Sequence, residues 1–198
     1  MLRTSAAGEA QSVGRPIGTI EMTEEFDGYA LEAASWLAVA REHLIAAEAL
    51  GTCLRESGAA ERIQAQGHVG RLGMMRGCML LMAFALENAI KGVIVARGGL
   101  SVDDKGKLSW PKQCGLRTGH ELVPLASAAG LENSESEQSL LERLSEYSVW
   151  AGKYSIPNKR EHFSERARGR RKLHWPEDLR TAQALLARIE QVVRGVDG

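Results

Sequence analysis

No run of alternating apolar and polar residues of the kind that builds half-buried strands occurs in the chain, and no internal repeat. Sheet-based folds and solenoids are therefore not expected. Net charge is also missing: Lys+Arg and Asp+Glu both number 25. Bulk charge thus singles out neither a nucleic acid nor an acidic partner, and any electrostatic function has to come from local patches. Cysteine is sparse. Cys53, Cys78 and Cys114 lie far apart and form no C-x-x-C pair, which reads as reduced thiols in the cytosol rather than a disulfide framework. Two of the three fall in helical patterns, where a thiol is usually a small buried hydrophobe. There is no P-loop, no dinucleotide fingerprint and no G-x-S-x-G. Among His43, His68, His120, His162 and His174 no pair has the H-E-x-x-H spacing, and no Cys–His cluster has zinc spacing. Neither a metal nor a cofactor is expected. The Ser-, Ala- and Gly-rich start lacks the continuous apolar core of a signal peptide. Met79–Ala96 is the one membrane candidate, but Glu87 and Lys91 interrupt it. A span needs roughly 20 apolar residues, so this reads as a core helix, with no membrane partner and a cytoplasmic location.

What is present is helical patterning. A chain of 198 residues with 44% hydrophobic and 25% charged residues suits one globular domain with a core of its own. Residues 1–25 read as a disordered N-terminal tail, and 26–198 as a single helical-bundle domain. A first helix is expected from about Asp27 to Ser57, with Ala33, Trp36, Leu37, Ala40, Leu44 and Ala47 on one stripe. A second is expected from about His68 to Arg97, stopped by Gly98-Gly99. It is apolar nearly all round, which belongs at the centre of a bundle. Glu87 and Lys91 sit four apart on it, in the favourable order for an ion pair. Gly70, Gly73 and Gly77 lower its helix propensity, and their spacing suggests close approach by a neighbouring helix.

Leu100–Arg117 reads as a loop with a turn at Asp103–Gly106. Thr118–Glu121 has capping-box spacing before a short helix that ends at Gly130. Pro124 is tolerated only in a first turn, which moves that helix start toward His120. Ser134–Glu137 is a second capping box, opening a helix with Leu140, Leu141, Leu144 and Tyr147 on one face, ending near Trp150–Gly152. Trp175-Pro176-Glu177-Asp178 starts the last helix. The fold class is all-α: an antiparallel helical bundle of four main helices plus a short one.

The most distinctive feature is a basic stretch, Asn158–Lys172. Lys159, Arg160, Arg166, Arg168, Arg170, Arg171 and Lys172 face only Glu161 and Glu165, a net +5, with His162 inside and His174 just after. Such a density in a neutral protein suits phosphate contacts through guanidinium forks, while a solvated linker with mobile cations has the same composition. Phe163 and Trp175 offer faces for base stacking, although packing ahead of the last helix is the simpler role for Trp175. His120, at a helix start, reads as a capping or packing residue.

Four segments in order resemble the HEPN superfamily of helical bundles. Leu86-Glu-Asn-Ala-Ile-Lys91, ending at Gly98, is similar to the L-E-x-x-l-K end of that family's second helix. Gly119-His-Glu-Leu122 through Leu125 is similar to its T/G-H-D/E-L-x-x-L segment. Leu140–Tyr147 matches the helix that follows, and Trp150-Ala-Gly-Lys-Tyr154 with Pro157 matches its R-Y-P element. The resemblance implies a HEPN-like fold, often homodimeric, with RNA-related roles. Many members are metal-independent ribonucleases of toxin or defence systems. Others are non-catalytic modules that dimerise or hold a nucleotidyltransferase or antitoxin partner. Catalytic members carry an Arg followed a few residues later by His. Arg168 with His174, and Arg160 with His162 as a back-up pair, are the catalytic candidates by this resemblance. Arg62 and His68 share the spacing. The family motif usually begins Arg-polar, whereas Ile63 and Gly169 follow the arginines here. The basic side chains Lys159, Arg160, Arg166, Arg170, Arg171 and Lys172 are the RNA-binding candidates. Two functions therefore stand: binding of RNA or a nucleotide-handling partner, with or without cleavage, and a helical interaction module.

Overall fold

The computed structural model describes residues 25–56, 67–110, 120–151, 153 and 172–196. These residues are mostly helical: α1 (Ala33–Arg55), α2 (Gly67–Ala96), α3 (Leu122–Ala128), α4 (Glu135–Glu146) and α5 (Glu177–Val196). The all-α class read from the sequence is the one observed.

The expected first helix is interrupted. Residues 25–31 are helical, but Glu32 is extended (φ −91°, ψ 111°) before α1 begins. The indole Nε1 of Trp36 donates to the Ala30 carbonyl (2.8 Å), which in an unbroken helix would accept from the backbone N–H of Ala34. Ser35 Oγ donates to the Glu32 carboxylate (2.8 Å) and closes the break. Beyond it, the predicted stripe is real: Leu37, Ala40, Leu44 and Ala47 are buried.

α2 is the centre of the molecule. Cys78, Met79, Met82, Ala83, Ala85, Leu86, Ala89, Ile90 and Val93 are all fully buried, in contact with α1, α3, α4 and α5. Val69–Ala96 is long and apolar enough to cross a membrane, yet 72% of its apolar window is buried inside the protein. The helix ends as expected. Gly98 takes φ +68°, and the N–H groups of Gly98 and Gly99 turn back onto the carbonyls of Val95 and Ile94, both at 2.8 Å.

α1 and α2 run antiparallel. Trp36 lies beside Gly92, while Leu50 lies beside Gly77. A Cβ at Gly77 would stand 3.2 Å from Leu50 Cδ1, and one at Gly92 3.4 Å from Trp36 Cβ. Close approach thus uses Gly77 and Gly92, whereas Gly73 faces open space. α5 runs opposite to both α1 and α4: Arg41 pairs with Glu190 while Gln183 reaches Glu48, and Glu137 pairs with Arg188 while Arg143 pairs with Asp178.

The expected loop after α2 contains a small antiparallel hairpin, β1 (Ser101–Val102) and β2 (Leu108–Ser109). Strands of two residues are too short to show alternation. The turn is where the sequence put it. Asp103 Oδ1 accepts from the N–H groups of Lys105 and Lys107, each at 2.9 Å, and Gly106 has φ +73°. α3 starts at Leu122 with no side-chain cap from Glu121. Its cap comes from α4 instead: Ser145 Oγ accepts from the Leu122 N–H (2.9 Å). Thr118, the expected cap, lies outside the described residues. The Ser134–Glu137 capping box forms in full. α4 ends at Glu146 and continues as a π-helical turn, Tyr147–Ala151.

Candidate functional site

The least expected feature of the core is Glu87. It projects from α2 with only 5% of its surface exposed, so its charge has to be matched locally. Two partners do this. Lys91, one turn on, places Nζ 2.5 Å from Oε1. His120, which precedes α3, places Nδ1 3.0 Å from both carboxylate oxygens. A carboxylate only accepts, so Nδ1 carries the proton and donates to Glu87. In the neutral ring Nε2 then holds a free lone pair. The His120 side chain is 41% exposed, so its ring is reachable from solvent although its carboxylate partner is not.

The imidazole is held from several directions. The His120 carbonyl accepts from Ser148 Oγ (2.8 Å), and two residues on, Leu122 N–H is bound by Ser145. Ser145 lies at the end of α4, where its Oγ also donates to the Leu141 carbonyl (2.7 Å), and Ser148 lies in the π-helical turn that follows. A backbone fastened just after the residue, with its ring hydrogen-bonded to a buried acid, restricts the side chain.

Aromatic rings close the other side of the cluster. Lys91 Nζ lies 6.0 Å from the centroid of Trp36 and 5.4 Å from that of Trp110, close enough for cation–π attraction. The two indoles meet edge to face, centroids 5.4 Å apart. The hairpin β1–β2 brings the chain back so that Trp110, nineteen positions beyond Lys91, reaches this point. Further along the same α1–α2 seam, His43 meets Phe84 at 5.7 Å, and Lys153 Nζ lies 5.4 Å from that ring. Trp36 and His43 are seven apart on α1; Phe84, Glu87 and Lys91 step by three and four on α2. Each set therefore occupies one helical face.

A second buried charge pair ties α4 to α5. Arg143 and Asp178 form a two-pronged bond, Nη1 to Oδ2 at 2.8 Å and Nη2 to Oδ1 at 2.6 Å. The same groups grip the chain entering α5: Arg143 Nη1 donates to the Lys172 carbonyl (3.0 Å), and the His174 N–H donates to Asp178 Oδ2 (2.7 Å).

Of the site residues expected from sequence, only Lys172 and His174 are described, and both are exposed. They are fastened through their backbones. Lys159, Arg160, His162, Arg166, Arg168, Arg170 and Arg171 lie outside the described residues, as do Arg62 and Phe163. Trp175 packs against Gly51 of α1, as a packing residue ahead of the last helix should. Sequence spacing pairs Glu87 with Lys91 but does not connect it with His120. What the sequence does not signal is that Glu87 and His120 touch across 33 positions.

Among the described residues, no three His, Cys, Asp or Glu side chains gather in a metal-binding group. Burial, aided by the nearby Asp178 charge, pushes the Cys78 thiol up to about 11. It stays protonated at neutral pH and donates to the Ala47 carbonyl (3.3 Å), so it serves as a buried hydrophobe rather than a nucleophile. No protein-family model, no curated protein and no solved structure matches the chain.

Proposed function

We propose that this chain is a HEPN-like helical protein of the cytoplasm that binds RNA, or a nucleotide-bearing partner, through the cations of Asn158–Lys172. The observation that carries the reading is the Glu87–His120 contact. It joins the polar residues of two segments, Leu86–Lys91 and His120–Leu125, that resemble consecutive motifs of that superfamily. The positive-φ Gly98 after α2 and the buried Leu140–Tyr147 face of α4 support the same alignment. The anchoring of Lys172 and His174 by Arg143 and Asp178 joins one end of the basic stretch to the helical body.

Binding of this kind releases counterions, so affinity falls steeply with salt. Fluorescence anisotropy with single-stranded RNA checks it. Neutralising Arg166, Arg168, Arg170 and Arg171 is expected to weaken binding and to flatten the log–log salt slope by about 0.7 for each phosphate that no longer meets a cation. Absence of binding at low salt, or affinity indifferent to salt, would contradict the reading.

A non-catalytic interaction module, as a homodimer or with a nucleotidyltransferase or antitoxin partner, is the second reading. It is favoured by Phe26 and Tyr29, 45% and 61% exposed and three apart on one helical face. A doubled mass in light scattering together with no RNA binding would select it.

A further inference from the structure

We infer that the cleft between the end of α1 and the start of α5 is a pocket for one guanine base of a single-stranded RNA, stacked on Trp175 and read by Glu48 and Arg180. The inference rests on the RNA-binding reading above and adds a base preference, which cations contacting phosphates do not confer.

The cleft has a volume of about 840 Å³, within the range of about 300–1,000 Å³ that holds small ligands. Two helical faces wall it. Glu48, Thr52 and Arg55 step by four and three along α1, and Arg180 and Gln183 stand three apart on α5. Trp175 and Leu179 add apolar surface between them. Trp175 is held from two sides. Its ring sits against Gly51, and the chain that leads to it is fastened by Arg143 at the Lys172 carbonyl and by Asp178 at the His174 N–H. An indole that is fixed in place and only partly buried offers a stacking surface to an unpaired base.

The polar lining selects the base. Glu48 accepts one long hydrogen bond, from Gln183 Nε2 at 3.4 Å, so its carboxylate keeps lone pairs for a ligand. Among the described residues, Arg55 and Arg180 enter no ion pair. A carboxylate and two guanidinium groups thus line one cleft without meeting. A group seated between them has to present donors to the one and acceptors to the other. Guanine does both. Its N1–H and N2–H are adjacent donors that match the two oxygens of a carboxylate, and its O6 and N7 accept both prongs of a guanidinium. Adenine and cytosine each set one amino group beside a ring-nitrogen acceptor, and uracil has one N–H between two carbonyls. None of the three offers a carboxylate two neighbouring donors. Arg55 and Lys172, the latter three positions before Trp175, are exposed cations available to the flanking phosphates.

The test is fluorescence anisotropy on the full chain with labelled oligouridine carrying one central guanosine, adenosine, inosine or 7-deazaguanosine. Guanosine should bind about 5- to 150-fold more tightly than adenosine, the discrimination of one bidentate pair. Adenosine stacks as well, so the comparison isolates the hydrogen bonds. Inosine, which lacks the N2 amino group, should fall between them. Glu48→Gln, at an exposed position, should melt like the parent, still bind plain oligouridine, and lose the preference for guanosine. In Arg180→Met, guanosine and 7-deazaguanosine should bind alike, because the group that reads N7 is gone. Equal affinity of the parent for guanosine and adenosine would overturn the inference and leave RNA binding standing. So would a guanosine preference that persists in both variants, since the base would then be read elsewhere. If the parent binds no RNA even at low salt, both readings fall.

Discussion

Gly51 shows how one missing side chain positions an element. It is buried within α1, and the indole of Trp175 fills the space a Cβ would take: that atom would lie 2.1 Å from Cζ3 and 2.3 Å from Cη2. By helix propensity alone Gly51→Ala should stabilise α1 by about 1 kcal/mol. The clash is with a ring that packs between helices, so the expected outcome is the opposite, a loss of about 1–3 kcal/mol in urea denaturation. In a Trp175→Ala background the same change should become neutral or favourable, because the obstruction is gone. From sequence, Gly51 registers only as a weak point in a helix and Trp175 only as a packing residue. Their partnership across more than a hundred positions is a property of the folded chain.

At the scale of one element, α4 is the helix whose start is most fully specified by its own residues. Ser134 and Glu137 exchange hydrogen bonds as the sequence spacing predicts. Burial pushes the Glu137 carboxyl up, but the Ser134 N–H, the Arg188 guanidinium and the Ser134 hydroxyl outweigh it and hold the group below its ordinary 4.5. A carboxyl whose folded value is depressed stabilises the fold above its unfolded value and loses that contribution as pH falls through the folded one. Thermal melts should therefore show the capping contribution, about 1 kcal/mol, intact at pH 6 and fading below about 4.5. Glu137→Gln should remove that part of the acid dependence. α3 is the contrasting case. Its start, expected near His120, borrows Ser145 from α4, a partner that local spacing does not reveal. The hairpin β1–β2 is likewise hidden, since two-residue strands leave no periodic trace, while its turn is legible from Asp103 and Gly106.

Among the described residues, two buried carboxylates tie segments of the molecule together: Glu87, with Lys91 and the partly exposed His120, joins α2 to the start of α3, and Asp178, with Arg143, joins α4 to α5. Removing one member of a buried pair strands the other, at a cost of about 3–5 kcal/mol. Asp178→Asn and Arg143→Met are each expected to destabilise by that order in chemical denaturation. The double change Arg143→Met with Asp178→Leu should recover much of the stability, because no charge is then left without its partner. The chain entering α5 should also loosen, read as faster amide exchange at His174, whose N–H bonds to Asp178.

The sequence by itself determined the helical class, the stripe that α1 buries, the central place of α2, the Gly98 stop and the Ser134–Glu137 cap. Each depends on spacing within a few turns of one chain segment, where periodicity and local hydrogen bonding decide the outcome. The tertiary structure alone decided that Glu87 meets His120, that Arg143 meets Asp178, and that Trp175 closes on Gly51. Those contacts join residues far apart in the chain, and their strength comes from burial, which exists only once the helices have packed.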